Sequence, residues 1–372
     1  MQGHKPIVLL LSFLAITLGC KQAYLPPVIK NPPINLVVEG FINSGPDSTY
    51  FDLSTTYLLS DSTATTPELG ATVTVEGTDN TSYPLAEIGN GVYGTALPPL
   101  NTTTGYRLHI ITTANKQYAS DFVTPIPDPP IDSVNWIRTN NGIQIYVNAH
   151  DPTNTAQYFR WEYQETWKFN SAYFATLQFV HDSLQNYSPN KIATCWHSDN
   201  STRIIVGDAT KLSKDVIYEA PIVNIPLNSQ QISIKYSVLV KQYAITRAAY
   251  DWWGLLQTNT EDIGSIFGVQ PSSNQGNLHC LTDTTEQVIG YVSAGNVRSQ
   301  RLFITSDQVF PWDYINDCLE FKIPVDSMVY YYVTGFLPID YADQGFGSIH
   351  IAWKTCVDCT LTGTNIQPPF WQ

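Results

Sequence analysis

The residues from Tyr158 to Asn170 form the most regular pattern in this chain and constrain its fold more than any other stretch. Large aromatic rings occupy the odd positions: Phe159, Trp161, Tyr163, Trp167 and Phe169. Polar side chains occupy most even positions: Arg160, Glu162, Gln164, Thr166 and Lys168. Successive side chains of a strand point to opposite faces, so this alternation predicts a long, half-buried strand. We interpret the rings as the inner face of a β-sandwich; the alternative is a platform on which sugar rings stack.

Short strand patterns separated by turn residues continue on both sides of this stretch and predict a mainly all-β fold. Residues 34–124 are predicted to form an immunoglobulin-like β-sandwich. Residues 125–130 read Pro-Ile-Pro-Asp-Pro-Pro, and such a run cannot continue inside a sheet, so it is predicted to be a linker. Residues 131–372 are predicted to form a second, β-rich sandwich domain.

The second domain is predicted to depart from plain sheet structure in two places. Residues 171–200 are long and polar and are expected to leave the sheet, whereas Met328–Phe336 and Ser348–Lys354 are expected to be strands that complete it. One helical insertion is predicted at residues 246–258, where Thr246 can cap the first turn.

Two adjacent tryptophans lie within the predicted helix and are candidates for contact with a partner or ligand. Trp252 and Trp253 would project about 100° apart, so that one ring can enter the core while the other stays exposed. Exposed aromatic rings are enriched in interfaces.

The first residues resemble the signal peptide of a lipoprotein. Lys5 precedes an apolar run at Ile7–Leu18, and Gly19-Cys20 follows it, so residues 1–19 are predicted to be cleaved and Cys20 to carry the lipid. The apolar run is too short to span a bilayer, which needs about 20 residues. Residues 20–33 are rich in proline and are predicted to be a tether.

The charge of the chain limits its partners. A net charge of −13 and a pI near 4.8 argue against nucleic-acid binding, which requires basic surfaces. The chain also lacks a run of basic residues beside the predicted anchor, so membrane attachment is expected to depend on the lipid.

The five remaining cysteines are disulfide candidates in an exported protein, with metal binding or redox chemistry as the alternatives. They are Cys195, Cys280, Cys318, Cys356 and Cys359. Five is an odd number, so one is expected to stay free or to pair between chains. Cys356 and Cys359 form a C-x-x-C pair, but no second pair at zinc-binding spacing exists in the sequence.

The sequence contains no motif that predicts catalysis, so we expect a protein without enzymatic activity, cofactor or metal. Gly290–Gly295 resembles a nucleophile elbow but is one residue too long. Asp340 and Asp343 are spaced so that they suggest a calcium loop, yet the regular acidic ladder is missing and a turn is predicted instead. A pair of carboxylates assembled in space for hydrolysis is not visible in a sequence.

A series of motifs resembles the Bacteroidota lipoprotein family called domain of unknown function 4249. In chain order they are Cys20 with Tyr24 and Pro26, Leu36–Gly40, Val75-Glu76, Gly91–Tyr93, Pro130–Val134, Cys195-Trp196, Tyr243–Trp253, Gly276-Asn277, Val288–Tyr291, Cys356–Cys359 and Gly363–Trp371. The resemblance implies an accessory lipoprotein encoded beside a SusC-type TonB-dependent receptor. It also implies one bridge between Cys280 and Cys318 and another from Cys195 to Cys356 or Cys359.

A second resemblance concerns modification. Asp followed by Ser or Thr and then by an aliphatic residue, Thr or Met is similar to the O-glycosylation acceptor of exported Bacteroidota proteins; the alternative is a plain surface rich in Ser and Thr. The candidate acceptors are Ser48, Ser62, Ser133, Ser183, Thr284 and Ser327.

These observations predict a lipid-anchored outer-membrane protein, with the cell surface favoured over the periplasmic face. Its expected function is that of an accessory, scaffold or binding subunit of a SusC-type transporter complex. The alternatives are a glycan-binding surface lipoprotein and a structural subunit of an envelope assembly or secretion complex. A peptide or glycan ligand is compatible with each of these functions.

Overall fold

The computed structural model describes residues 34–56, 66–153, 155–188, 190–210, 216–261 and 276–371. The strands are β1 Leu36–Asn43, β2 Thr49–Thr55, β3 Thr66–Pro67, β4 Thr72–Gly77, β5 Ser82–Gly89, β6 Val92–Thr95, β7 Tyr106–Ile111, β8 Gln117–Ser120, β9 Ile131–Thr139, β10 Gly142–His150, β11 Tyr158–Asn170, β12 Leu177–Val180, β13 Ser183–Asn186, β14 Thr194–Asn200, β15 Ile205–Asp208, β16 Val216–Pro226, β17 Lys235–Ile245, β18 Leu278–Cys280, β19 Val288–Ile289, β20 Ala294–Gly295, β21 Arg298–Thr305, β22 Glu320–Pro324, β23 Phe336–Tyr341 and β24 Ser348–Trp353. The helices are α1 Arg247–Glu261, α2 Met328–Val333 and α3 Lys354–Val357. The predicted mainly-β fold class is confirmed.

The first sandwich is built from a sheet that folds over at β5. The first half of β5 pairs with β4 and its second half with β6, so strand pairing runs continuously from β8 through β7, β4, β5, β6 and β2 to β1. Inward residues of both halves share one core; these include Val38, Phe51, Val75, Leu108 and Ile110.

Residues 278–295 complete this first sandwich, although the sequence analysis assigned them to the second domain. β19 and β20 pair in parallel with β1, and β18 pairs antiparallel with β8. Leu278, Val288 and Val292 are buried in the first core. The sequence analysis missed this return because the strands that pair with β18–β20 lie more than 150 residues earlier. Local sequence patterns do not show which distant strand a segment pairs with.

The second sandwich has β11 at the centre of one of its two sheets. β11 pairs with β17 along one edge and with β14 and β15 along the other, and β21 extends the sheet beyond β17. The facing sheet has the order β16-β10-β9. Phe159, Trp161, Trp167 and Phe169 lie in the core between the two sheets, so the core interpretation of the aromatic stripe is confirmed.

A third, smaller unit combines residues from the middle and the end of the chain. β22, β24 and β23 form its sheet, and the hairpin β12–β13 packs against it through Leu177 and Phe179. We call this unit the C-terminal module. Two predictions are therefore corrected. The segment 171–200 is not simply an excursion, since Thr194–Asn200 pairs with β11. The last strands do not complete the sheet of the second sandwich but form a sheet of their own.

Candidate interaction surface

The sheet of the C-terminal module has one face that is covered at one end only. Ile349 and Ile351 in the middle strand are fully buried, beneath Met328 of α2 and Leu177 of the hairpin. Trp353 lies on the same face two residues later, because alternate side chains share a face. The covering elements do not bury it, and 44% of its surface is exposed.

Rings from three elements meet around Trp353. Phe336, which faces Trp353 across the strand pair, lies 5.3 Å from it between ring centroids, and Phe321 lies 6.0 Å from Phe336. Tyr331 of α2 contacts Phe336 at 5.7 Å, and Tyr330 contacts Tyr331 at 5.3 Å. All four pairs are edge-to-face, the geometry that aromatic quadrupoles favour. We call these five residues the aromatic cluster.

Helix α2 supplies the outermost part of this surface. Only Met328 of its six residues is buried, while Tyr330 is 67% exposed and Val333 76% exposed. The helix ends at Val333, and Gly335 follows with a φ of +101°, a left-handed conformation that glycine adopts without strain. The Gly335 amide donates to the Tyr332 carbonyl, and the Gly335 carbonyl accepts from the Lys354 amide, so the turn brings α2 beside Trp353.

Two cationic or titratable side chains of this module lie on the opposite face of its sheet from the aromatic cluster. Lys322 and His350 are opposite each other on β22 and β24, on the side of the sheet that Phe321 and Ile351 do not occupy. His350 Nδ1 lies 2.7 Å from Asp340 Oδ1. The five side chains of the cluster are themselves uncharged and aromatic, a composition that is typical of interface centres, where charge is depleted.

The turn that the sequence predicted around Asp343, in preference to a calcium loop, is present. The Asp343 carboxylate accepts hydrogen bonds from the Ser348 hydroxyl and the Gly347 amide, and these bonds lower its pKa. Within the described ranges, no cluster of three or more His, Cys, Asp or Glu side chains is arranged to hold a metal ion.

Trp252 and Trp253 do not form an exposed contact surface. Trp252 is only 6% exposed and packs against Tyr291 at 5.9 Å, so it is the ring of the pair that enters the core and it offers no surface to a partner. Trp253 is half-buried, and the Arg160 guanidinium lies 4.2 Å from its ring. The predicted helix is present, and Thr246 caps it by accepting from the Ala249 amide at 3.1 Å. α1 packs against β11 and β15, and Arg160 of β11 covers the Trp253 ring.

The disulfide pairing differs from the one that the family resemblance implied. Cys195 is bonded to Cys359, and Cys318 is bonded to Cys356. Cys280 is a buried free thiol. The implied bridge between Cys280 and Cys318 is therefore wrong, because Cys280 lies on β18 in the first sandwich whereas Cys318 lies beside the C-terminal module. Of the two partners left open for Cys195, the structure selects Cys359.

The candidate glycosylation sites have different environments. Ser183 and Thr284 are exposed, whereas Ser48, Ser133 and Ser327 are half-buried. The Ser133 hydroxyl accepts from the side-chain amides of Asn135 and Asn148 at 2.9 and 3.1 Å. Ser62 and the predicted lipid site Cys20 lie outside the described residues.

The sequence analysis missed the aromatic cluster. It interpreted Met328–Phe336 as a strand, but residues 328–333 are helical and only Phe336 begins a strand. The run Met-Val-Tyr-Tyr-Tyr-Val has high β-propensity and no alternation. The signal that could have revealed the cluster was the absence of a polar face in this run. A segment that is apolar or aromatic on every side cannot bury all of its side chains, so some of them had to be exposed.

Comparisons with known proteins give one family and no curated relative. Two solved structures are similar: a segment of two fibronectin type-III domains of chicken tenascin and the adhesin InvE of Yersinia pseudotuberculosis. The first is 11% identical, covers 55% of this chain and 88% of its own, and has a TM-score of 0.16. The second is 14% identical, covers 57% and 55%, and has a TM-score of 0.16. At these values neither likeness supports an inference. No curated protein matches the chain.

The chain contains no described helix that is long and apolar enough to cross a membrane. The family model described as domain of unknown function 4249 matches residues 22–301, which is most of the chain. The protein therefore belongs to the family of domain of unknown function 4249.

Proposed function

We propose that this protein is a non-enzymatic outer-membrane lipoprotein that serves as an accessory or scaffold subunit of a SusC-type, TonB-dependent transporter complex. The observation that carries the proposal is the exposed aromatic cluster with the apolar outer side of α2. The signal-like residues 1–19, with Cys20 behind them, support the location.

The surface has the chemistry of a protein interface. Tyr and Trp are among the residues most enriched in interface hot spots. Here Tyr330 on α2 and Trp353 on β24 belong to the same cluster of contacting rings. Packing of Trp353 against Phe336 and of Tyr330 against Tyr331 fixes the orientation of both rings before binding, which reduces the entropy that association costs. Large exposed apolar surfaces on soluble domains mark sites that another molecule covers.

The partner is expected to be a protein with an apolar centre and a basic rim. The chain as a whole carries a net charge of −13, so long-range attraction favours a partner surface of positive sign. An outer-membrane receptor of the SusC type is the partner that the motif resemblance in the sequence suggests.

The test is recovery of a receptor from native envelopes. The full-length protein is purified in mild detergent, and co-purifying proteins are identified by mass spectrometry. We expect an outer-membrane barrel of the TonB-dependent receptor class. Replacing Tyr330 and Val333 with Ser should lower its recovery roughly tenfold or more, since both side chains are exposed and tyrosine is enriched among interface hot spots.

A matched control distinguishes specific binding at this surface from non-specific binding of the receptor. Tyr218 is an exposed tyrosine on β16 of the second sandwich, and Tyr218→Ser should leave recovery of the receptor unchanged. Recovery of no barrel protein, or equal losses in both variants, would contradict the proposal. Binding of the purified protein to glycans that Tyr330→Ser abolishes would favour the glycan-binding alternative instead.

The location has its own test. Cys20→Ala removes the thiol that the lipid would modify, and we expect the protein to move from the membrane fraction to the soluble fraction. The membrane and soluble fractions are compared by immunoblot against the unmodified protein. A variant that remains with the membrane would show that the anchor is assigned to the wrong residue.

A further inference from the structure

Two of the segments along which the polypeptide passes between the two sandwiches lie side by side. The first is the proline-rich segment 125–130, and the second joins β20, which pairs with β1, to β21, which pairs with β17. The Ile126 amide donates to the Ala294 carbonyl at 2.9 Å. The approach is so close that a Cβ on Gly295 would lie 2.4 Å from the Ile126 carbonyl oxygen. The predicted linker is therefore hydrogen-bonded to the second crossing segment and packed closely against it.

Asp128 is at the centre of this junction. Its amide donates to Asn296 Oδ1 at 2.7 Å, and its carbonyl accepts from Arg298 Nε at 3.2 Å. Its carboxyl oxygen Oδ1 accepts from Gln242 Nε2 at 3.1 Å, and Gln242 Oε1 in turn accepts from Trp161 Nε1 at 3.1 Å. One residue thus connects the first crossing segment to the second and to two core strands of the second sandwich.

The carboxyl group of Asp128 is unusually placed for an acidic side chain. The residue is only 3% exposed, and its Oδ2 atom has no hydrogen-bond partner among the residues that the structure describes. A neutral carboxyl group tolerates such a site, whereas a carboxylate there loses its hydration without full compensation.

We infer that this junction is a protonation-controlled latch, in which neutral Asp128 holds the two crossing segments together and its ionisation loosens them. The proposal concerns the joint between the sandwiches and is independent of the partner surface on the C-terminal module.

The charged groups around Asp128 have opposite effects on its pKa. Burial raises its pKa to about 7, against an ordinary value of 3.8. The Gln242 hydrogen bond and the Arg298 guanidinium lower the pKa, and the Asp151 carboxylate just beyond β10 raises it. Asp151 stays ionised because hydrogen bonds from Thr153, Thr155 and Ala156 outweigh its own burial and lower its pKa.

The direction of the pH effect follows from these values. Between the two pKa values the closed junction binds the proton more tightly than an open one, so opening becomes easier as the pH rises and levels off above about pH 7. Linkage between a pKa of 3.8 when open and 7 when closed gives an increase in opening of about fiftyfold from pH 5 to pH 7 and about twofold from pH 7 to pH 9.

Hydrogen exchange of the full chain measures this opening. Peptides covering residues 122–134 and 292–300 are followed from pH 5 to pH 9, and rates are corrected for the pH dependence of the chemical exchange step. We expect the protection of both peptides against exchange to fall as the pH rises, about fiftyfold from pH 5 to pH 7 and about twofold from pH 7 to pH 9. A profile that is flat from pH 5 to pH 7 in the unmodified protein would overturn the latch.

Three variants make the test specific. Asp128→Asn keeps the shape without an ionisable group, so its profile should be flat. Arg298→Met removes a nearby cation and should move the midpoint to higher pH, which a merely structural contact would not do. Asp313→Asn removes an exposed carboxylate elsewhere and should retain the unmodified profile. An Asp128→Asn protein with an unchanged profile, or an Arg298→Met protein with an unchanged midpoint, would overturn the proposal.

Discussion

At the scale of single residues, the cysteines show how much of a site depends on neighbours that are distant in sequence. Only two residues separate Cys356 from Cys359, yet the two cysteines bond to different partners, Cys318 and Cys195 respectively. The first bridge closes the C-terminal module, and the second fastens that module to β14 of the second sandwich. The spacing of the pair was visible in the sequence, but the partners were decided by where the strands lie.

Removing the bridge that closes the C-terminal module should destabilise it. In the Cys318→Ser/Cys356→Ser double variant the closed loop across a sequence separation of 38 is lost. Chain-entropy arguments then predict a decrease of roughly 4 kcal/mol in the free energy of unfolding, measured by denaturant titration.

The buried thiol is the control for that experiment. Cys280 makes no bridge, so Cys280→Ser is expected to cost much less than the double variant. Peptide mapping without reduction should show Cys195 joined to Cys359 and Cys318 joined to Cys356. A mapped link between Cys280 and Cys318 would contradict the pairing described above.

At the scale of elements, periodicity predicted structure well where one face is buried and poorly where it is not. The strand at residues 158–170 and the helix after Thr246 each repeat with the period of their structure, and both are present. Residues 328–333 have no period, because tertiary contacts bury only Met328 while the remaining side chains stay outside.

Gly335 is expected to control the shape of the aromatic cluster. In Gly335→Ala the new Cβ would lie 3.0 Å from the Trp353 ring, at a φ of +101° that L-residues rarely adopt. We expect the free energy of unfolding to fall by about 1–2 kcal/mol, with a change in the tryptophan fluorescence of the folded protein.

Gly347 in the same module provides the matched control. A Cβ at this position meets no atom within 4 Å, so Gly347→Ala should leave both stability and fluorescence near those of the unmodified protein. Equal effects of the two substitutions would show that the left-handed turn does not shape the cluster.

At the scale of the whole molecule, the first sandwich is completed by residues from far along the chain. Leu36 pairs with Val288, and Ile42 pairs with Ala294. The fragment 34–124, which the sequence analysis delimited as a domain, lacks these partners and would expose the β1 edge of its core. We expect this fragment to lack a cooperative unfolding transition, as measured by near-ultraviolet circular dichroism during thermal unfolding.

Restoring the missing strands should restore folding. The same fragment joined through a flexible Gly/Ser linker to residues 276–296 should unfold cooperatively, because β18, β19 and β20 can then pair with β8 and β1. If the shorter fragment already unfolds in a single sharp transition, the returning strands are not part of the first folding unit.

The sequence by itself determined the elements whose patterns are local. Alternation identified the strand of buried aromatic rings, the cap at Thr246 identified the helix, and the prolines of residues 125–130 identified where the chain leaves the first sandwich. Only the tertiary structure decided which distant segments meet: the return of residues 278–295, the partners of Cys356 and Cys359, and the exposure of Tyr330 and Trp353. The physical reason is that hydrogen-bonding period and turn chemistry act over a few residues, whereas sheet pairing, bridge formation and burial depend on contacts between residues that are distant in sequence.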